Sequence, residues 1–155
     1  MLKSACILSL SRHVDVHGQI GEYLTSIPAR KKGDMVTLHE LASRISTGKR
    51  LWFFDGKDAN DKTVSNPTIG YGFYTIQYAN GSTREFFRVG LSANSTGISV
   101  HMIGIKEKTF LQQTYGEEPG KATVTGYCIK FRKLQDVNID VLERAMRCAL
   151  DLPDE

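Results

Sequence analysis

The stretch Thr68–Leu91, TIGYGFYTIQYANGSTREFFRVGL, decides the fold of this chain. Its two halves, TIGYGFYTIQY and REFFRVGL, are rich in aromatic and branched residues that suit a pleated, half-buried surface. Ala79-Asn80-Gly81-Ser82 joins them, and Asn-Gly tolerates the positive φ angles of a tight hairpin turn. The pattern predicts two antiparallel strands. Alternation along the first puts Gly70 and Gly72 on one face with Thr68 and Tyr74, and Tyr71 and Phe73 on the other. Two missing side chains on one face let another backbone, a helix or a ligand approach closely. The glycines therefore mark either a smooth patch under a packed helix or a ligand groove.

The string Thr68-Ile-Gly-Tyr-Gly72 differs by one methyl group from the Thr-Val-Gly-Tyr-Gly loop of potassium-channel filters. A filter needs pore helices, and no apolar run here is long enough to span a bilayer. The glycines open no strand–loop–helix unit, so they have no helix amino terminus on which to seat a phosphate.

Outward from the hairpin the period changes. Ile20, Tyr23, Leu24 and Ile27 follow the helical i, i+3, i+4, i+7 spacing, with Pro28 as a stop. A second helix is predicted over 34–45, with Asp34 at its amino end, Met35, Leu38, Leu41, Ala42 and Ile45 as its apolar stripe, and Gly48 beyond. GISVHMIGI (97–105) and TGYCIKF (125–131) read as further strands, and KEKTFLQQTYG (106–116) as a helix turning Phe110, Leu111 and Tyr115 inward. NIDVLERAMRCAL (138–150) reads as a closing helix capped by Asn138, burying Ile139, Leu142, Ala145, Met146 and Ala149. GKDANDKTVSN (56–66) is a polar connector. Helices segregated from a meandering sheet imply an α+β fold: a mainly antiparallel sheet of about five strands, packed with amino-terminal helices and a carboxy-terminal helix. The expected organisation is a flexible arm over 1–18 and one domain over 19–152.

The 155 residues suffice for one domain. With 20 basic and 17 acidic side chains the formal charge is +3, too mild to argue for nucleic acid. Arg30-Lys31-Lys32 reads as a solvated loop. The apolar run Ala5–Leu10 is too short for an export signal. Cys6, Cys128 and Cys148 are odd in number and widely spaced, which fits reduced thiols in a cytosol. The expectation is a cytoplasmic protein with no membrane and no nucleic-acid partner.

Several separated segments resemble the YdhG-like domains of unknown function. They are TIGYGFYTIQYANGSTREFFRVGLSANSTGISVHMI, GKATVTGYCIKFRKLQDVNIDVLERAM and the amino-terminal EYLTSIPARKKGDMVTLHEL. Shared features are the aromatic-Gly strand with a Tyr-ending hairpin, Gly90-Leu91-Ser92, a Gly-Lys pair and a late Lys-Leu…Val-Leu segment. Relatives often carry Trp-Gly before the sheet, whereas here Trp52 is followed by Phe53 and Gly56 comes later. The resemblance implies a cytosolic α+β domain, and for some relatives a frataxin-like iron carrier. Such carriers hold iron on clustered carboxylates. Here the acids are spread out apart from Glu117-Glu118 and the tail Asp151, Asp154 and Glu155.

Individual residues suggest further chemistry. His13, Asp15 and His17, if extended, point to one side and form a candidate metal set; the alternative is a solvated arm. His101 shares a strand face with Ser99 and Ile103 and reads as a proton donor or as a neighbour-bonded histidine. Cys128 sits two residues from Lys130, which would depress its pKa and favour a nucleophile, yet strand cysteines commonly just pack. His39 beside Glu40 reads as a surface pair. Trp52, Phe53, Phe54, Tyr71, Phe73, Tyr74, Phe86 and Phe87 supply core bulk, while the hydroxyls of Tyr71 and Tyr74 want partners.

Without a catalytic motif, the preferred expectation is a non-catalytic domain binding a small molecule or a protein partner. Its candidate site is Trp52, Gly70, Tyr71, Gly72, Tyr74, His101, Cys128 and Lys130. The alternatives are the iron carrier and a small enzyme using His101, Tyr71 or Cys128. Unpaired strand edges also fit a homodimer.

Overall fold

The computed structural model describes residues 16–103 and 122–151. Helix α1 (Val16–Ser26) leads through Pro28 into α2 (Ala29–Ile45). Pro28 is the residue flanking the start of α2, a role its fixed φ suits, so α2 begins five residues earlier than its apolar stripe indicates. Arg30-Lys31-Lys32 is thus the first turn of a helix and not a loop. Asp34 lies beyond the first turn, and its Oδ2 accepts the Leu134 N–H at 3.0 Å. Ser46 and Thr47 close the helix, and Gly48 follows with φ +82°.

The strands are β1 (Leu51–Phe54), β2 (Thr68–Tyr71), β3 (Tyr74–Gln77), β4 (Thr83–Phe86), β5 (Val89–Ala93), β6 (Ile98–Met102), β7 (Thr123–Val124) and β8 (Cys128–Phe131). After β8 come a short 3-10 turn (Leu134–Asp136) and helix α3 (Ile139–Leu150). The main sheet has six strands in the order β1-β2-β5-β6-β8-β7, every neighbour antiparallel. The fold is therefore α+β, with the six-stranded sheet and a separate β3–β4 ribbon in place of about five strands.

The long hairpin exists, but it is bent in the middle. Gly72 adopts φ +85°, a left-handed conformation that glycine takes at little cost, and it divides β2 from β3. Phe87 and Arg88 divide β4 from β5 on the other arm. One end of the hairpin joins the main sheet, while the other projects as the ribbon.

The core lies between one sheet face and the three helices. Ile69, Tyr71, Val89, Leu91, Ile98, Val100, Met102, Ile129 and Phe131 meet Ile20, Met35, Leu38, Leu142, Ala145 and Met146. Asn138 caps α3, its Oδ1 accepting from the Asp140 and Val141 N–H groups. The buried face of α3 is rotated from the expected one: Val141 and Leu150 are inside, and Ile139 is exposed. Two bonds tie the amino-terminal helices to the turn after β5. The Tyr23 hydroxyl accepts the Ala93 N–H at 2.9 Å, and the Lys31 ammonium donates to the Asn94 carbonyl. His17 lies in the first turn of α1, not in an extended arm; the expected 106–116 helix, His13 and Asp15 lie outside the described residues.

Candidate functional site

The strand register gathers several candidate residues into one row. Trp52 pairs with Gly70, Gly70 with Gly90, Gly90 with His101, and His101 with Cys128. Directly paired residues share a face, so this row lies on the side of the sheet away from the helices. Tyr71 pairs with Val89, which pairs with Met102, and so belongs to the opposite, core face. Tyr71 therefore cannot join His101 and Cys128 in one catalytic set.

The two glycines in the row are filled. A Cβ on Gly70 would lie 2.8 Å from the Cβ, Cγ and Cδ2 of Phe87, and one on Gly90 would lie 2.6 Å from Phe87 Cε1. The Phe87 ring is itself enclosed by Phe86 at 4.2 Å and Phe54 at 5.7 Å between centroids. Gly72 makes room for a helix instead, since its Cβ would lie 2.9 Å from Leu150 Cδ2. Because the left-handed turn breaks alternation there, Gly72 does not extend the Gly70 face into β3. Trp52 donates from Nε1 to the Gly72 carbonyl at 2.7 Å, and Arg50 stacks on its ring at 3.7 Å. Tyr74 lies under the guanidinium of the buried Arg88 at 4.6 Å. Trp52, Gly70, Gly72 and Tyr74 thus form the packed bend of the hairpin.

Tyr71 has its partner in the core: its hydroxyl is 2.6 Å from Nδ1 of His39. His39 is consequently half-buried and bonded, not a surface residue beside Glu40. Burial pushes the Tyr71 phenol up from its ordinary range and the His39 imidazole down.

His101 and Cys128, distant in sequence, face each other across β6 and β8. That juxtaposition answers the missing histidine base, but the thiol is buried to 1% exposure. Burial raises its pKa and outweighs the opposing pull of Lys130 and the Ser99 hydrogen bond. The expected activation by Lys130 is therefore overruled by desolvation. Burial, aided by Lys130, holds the His101 imidazole below its usual pKa.

An open cleft of about 780 Å³ lies instead at the end of the sheet, where Lys130 is the one candidate residue on its wall. Four structural pieces meet there: the first turn of α2, the β5–β6 turn, β7 and the exit of β8. They bring Arg30, Lys31, Lys130, Arg132 and Lys133 around one space, and among the described residues no acidic one lines it. Among the described residues none of these five makes an ion pair. Lys31 is buried to 8% exposure, with the Asn94 carbonyl as its partner. The turn that accepts this bond is stiff. Asn94 Oδ1 accepts from the Thr96 N–H, the Thr96 hydroxyl and the Gly97 N–H at 2.8–3.0 Å, and Nδ2 donates to Ser99 Oγ at 3.0 Å. Gly97 lies so close to β8 that a Cβ would fall 2.2 Å from the Phe131 carbonyl oxygen.

Sequence reasoning missed this cleft because its charges come from two short basic runs about a hundred positions apart. The Asp34–Leu134 bond joins the segments that follow those runs. Among the described residues no group of three or more His, Cys, Asp or Glu side chains is placed to hold a metal. No helix among them is long and apolar enough to cross a membrane. Comparison of the chain with protein-family models, curated proteins and solved structures found no match.

Proposed function

We propose that this protein is a binding domain for a small anionic ligand, seated in the cleft between α2 and β8. The observation that carries this reading is five cationic side chains around one cleft without an ion pair among the described residues. Cations gathered this way repel one another, and an anion removes that repulsion while forming charge-assisted hydrogen bonds. Arg30 and Arg132 offer planar forks suited to phosphate or carboxylate, and the lysines offer point charges. The cleft volume falls in the range of small-molecule sites. An iron carrier would require clustered acids, so the lining of this cleft supports the anion reading over that one. The free thiols of Cys128 and Cys148 support a reducing, cytosolic setting.

Calorimetric titration of inorganic diphosphate at low ionic strength tests the reading. Binding is expected, weakened by added salt and by about tenfold or more in Lys130→Ala/Arg132→Ala, since charged hydrogen bonds contribute about 1.5–3 kcal/mol each. Absence of binding, or binding indifferent to the double substitution, refutes the cleft as an anion site.

A further inference from the structure

A second recess adjoins the basic cleft, and the two share Lys31, Asn94 and Ser95 as a common rim. Its volume is about 280 Å³, and its character is different. Tyr23, Ile27, Pro28, Pro67 and Ala93 give it apolar walls, with the half-buried Tyr23 ring held by the Ala93 hydrogen bond. At its edge the exposed Asn66 carries a side-chain amide that makes no hydrogen bond among the described residues and so faces water, free to turn to a ligand. An amide offers both donor and acceptor to a heterocycle edge, whereas an acyl chain would leave it unused. The shared rim places the cationic wall next to this less charged compartment, with Lys31 at the boundary between them.

Resting on the anion-site reading above, we propose that the natural ligand is a nucleoside diphosphate. Its phosphates lie on the cationic wall, and its base lies in the recess against Tyr23 with its edge toward Asn66. The rigid Asn94 turn separates the two compartments and fixes the reach between phosphate and base. Inorganic diphosphate would occupy only one half of such a site. The half around Tyr23 adds affinity because a flat, rigid ring loses little freedom on burial.

The test compares inorganic diphosphate with ADP by calorimetry on the full chain and on two exposed recess variants, Ser26→Trp and Asn66→Ala. Ser26→Trp sets a bulky ring across the recess, and Asn66→Ala removes the amide. ADP is expected to bind roughly tenfold more tightly than inorganic diphosphate. Both variants should erase most of that preference and leave diphosphate affinity unchanged. If diphosphate binds and ADP is no tighter, or its advantage survives both variants, the nucleotide inference falls while the anion site stands. If neither ligand binds, the anion site falls and this inference with it.

Discussion

The two ends of the sheet face solvent differently. At the hairpin end, residues that look like a ligand pocket have packed on one another: Phe87 covers Gly70 and Gly90, and Phe54 and Phe86 enclose its ring. At the opposite end, residues that look like ordinary solvated lysines and arginines stand around an open cleft. Apolar surface gains by covering itself, so an aromatic cluster beside glycines tends to close. Like charges repel each other and cannot collapse, so a basic cluster keeps its space until an anion enters.

The closed end makes the larger prediction. Gly90→Ala drives a methyl group into the Phe87 ring and to 3.0 Å from Thr68 Cγ2, with neighbours on the ring that leave it no retreat. Overpacking of this kind costs about 1–3 kcal/mol, offset in part by the lower unfolded-state entropy of alanine. At about 2–4 °C per kcal/mol for a chain of this length, thermal unfolding is expected to shift down by roughly 2–8 °C. Adding Phe87→Leu to Gly90→Ala should recover stability relative to the sum of the single changes, with a coupling of about 1 kcal/mol. Additive effects would mean that Phe87 is not what occupies the glycine row.

A second prediction concerns charge. The row runs from the glycines to His101, whose imidazole burial keeps below its ordinary value of 6.5, and His39 under the sheet behaves likewise. The unfolded chain therefore binds more protons than the folded one as pH falls below about 6.5, and stability drops there. Above that value the full stability is present. Urea midpoints are expected to be lower at about pH 5 than at about pH 7.5, with the difference reduced in His101→Gln. A flat profile would place both rings in contact with water.

How much of this was legible in the sequence follows from the range of each signal. Asn80-Gly81 marks its hairpin because turn chemistry is local, and Asn138 marks its cap for the same reason. Strand β1 was invisible as a strand because Leu51 and Phe53 face the helices while Trp52 and Phe54 face away, leaving no polar alternation. The bend at Gly72 was hidden because a glycine in an aromatic run fits both a flat strand and a left-handed break. Cys128 opposite His101 depends on register between strands separated by the 104–121 segment, which single residues do not encode. The cleft is the extreme case, since Lys31 reaches Asn94 across 63 positions and Asp34 reaches Leu134 across 100.

The smallest predicted effect is the one that most sharpens the contrast between the two ends. Lys133 is exposed, lines the cleft, and sits among Arg30, Lys31, Lys130 and Arg132. If these cations are held apart for a ligand, then in its absence an exposed one such as Lys133, unlike the buried and bonded Lys31, is surplus to folding. Lys133→Gln should then be neutral or stabilising by no more than about 0.5 kcal/mol at low ionic strength. The gain should vanish in about 1 M salt, where the screening length shrinks to roughly 3 Å. A destabilisation that persists in salt would show Lys133 supporting the fold through contacts of its own. In that event the cleft would resemble the glycine row, a region organised for packing, and the case for an anion there would weaken.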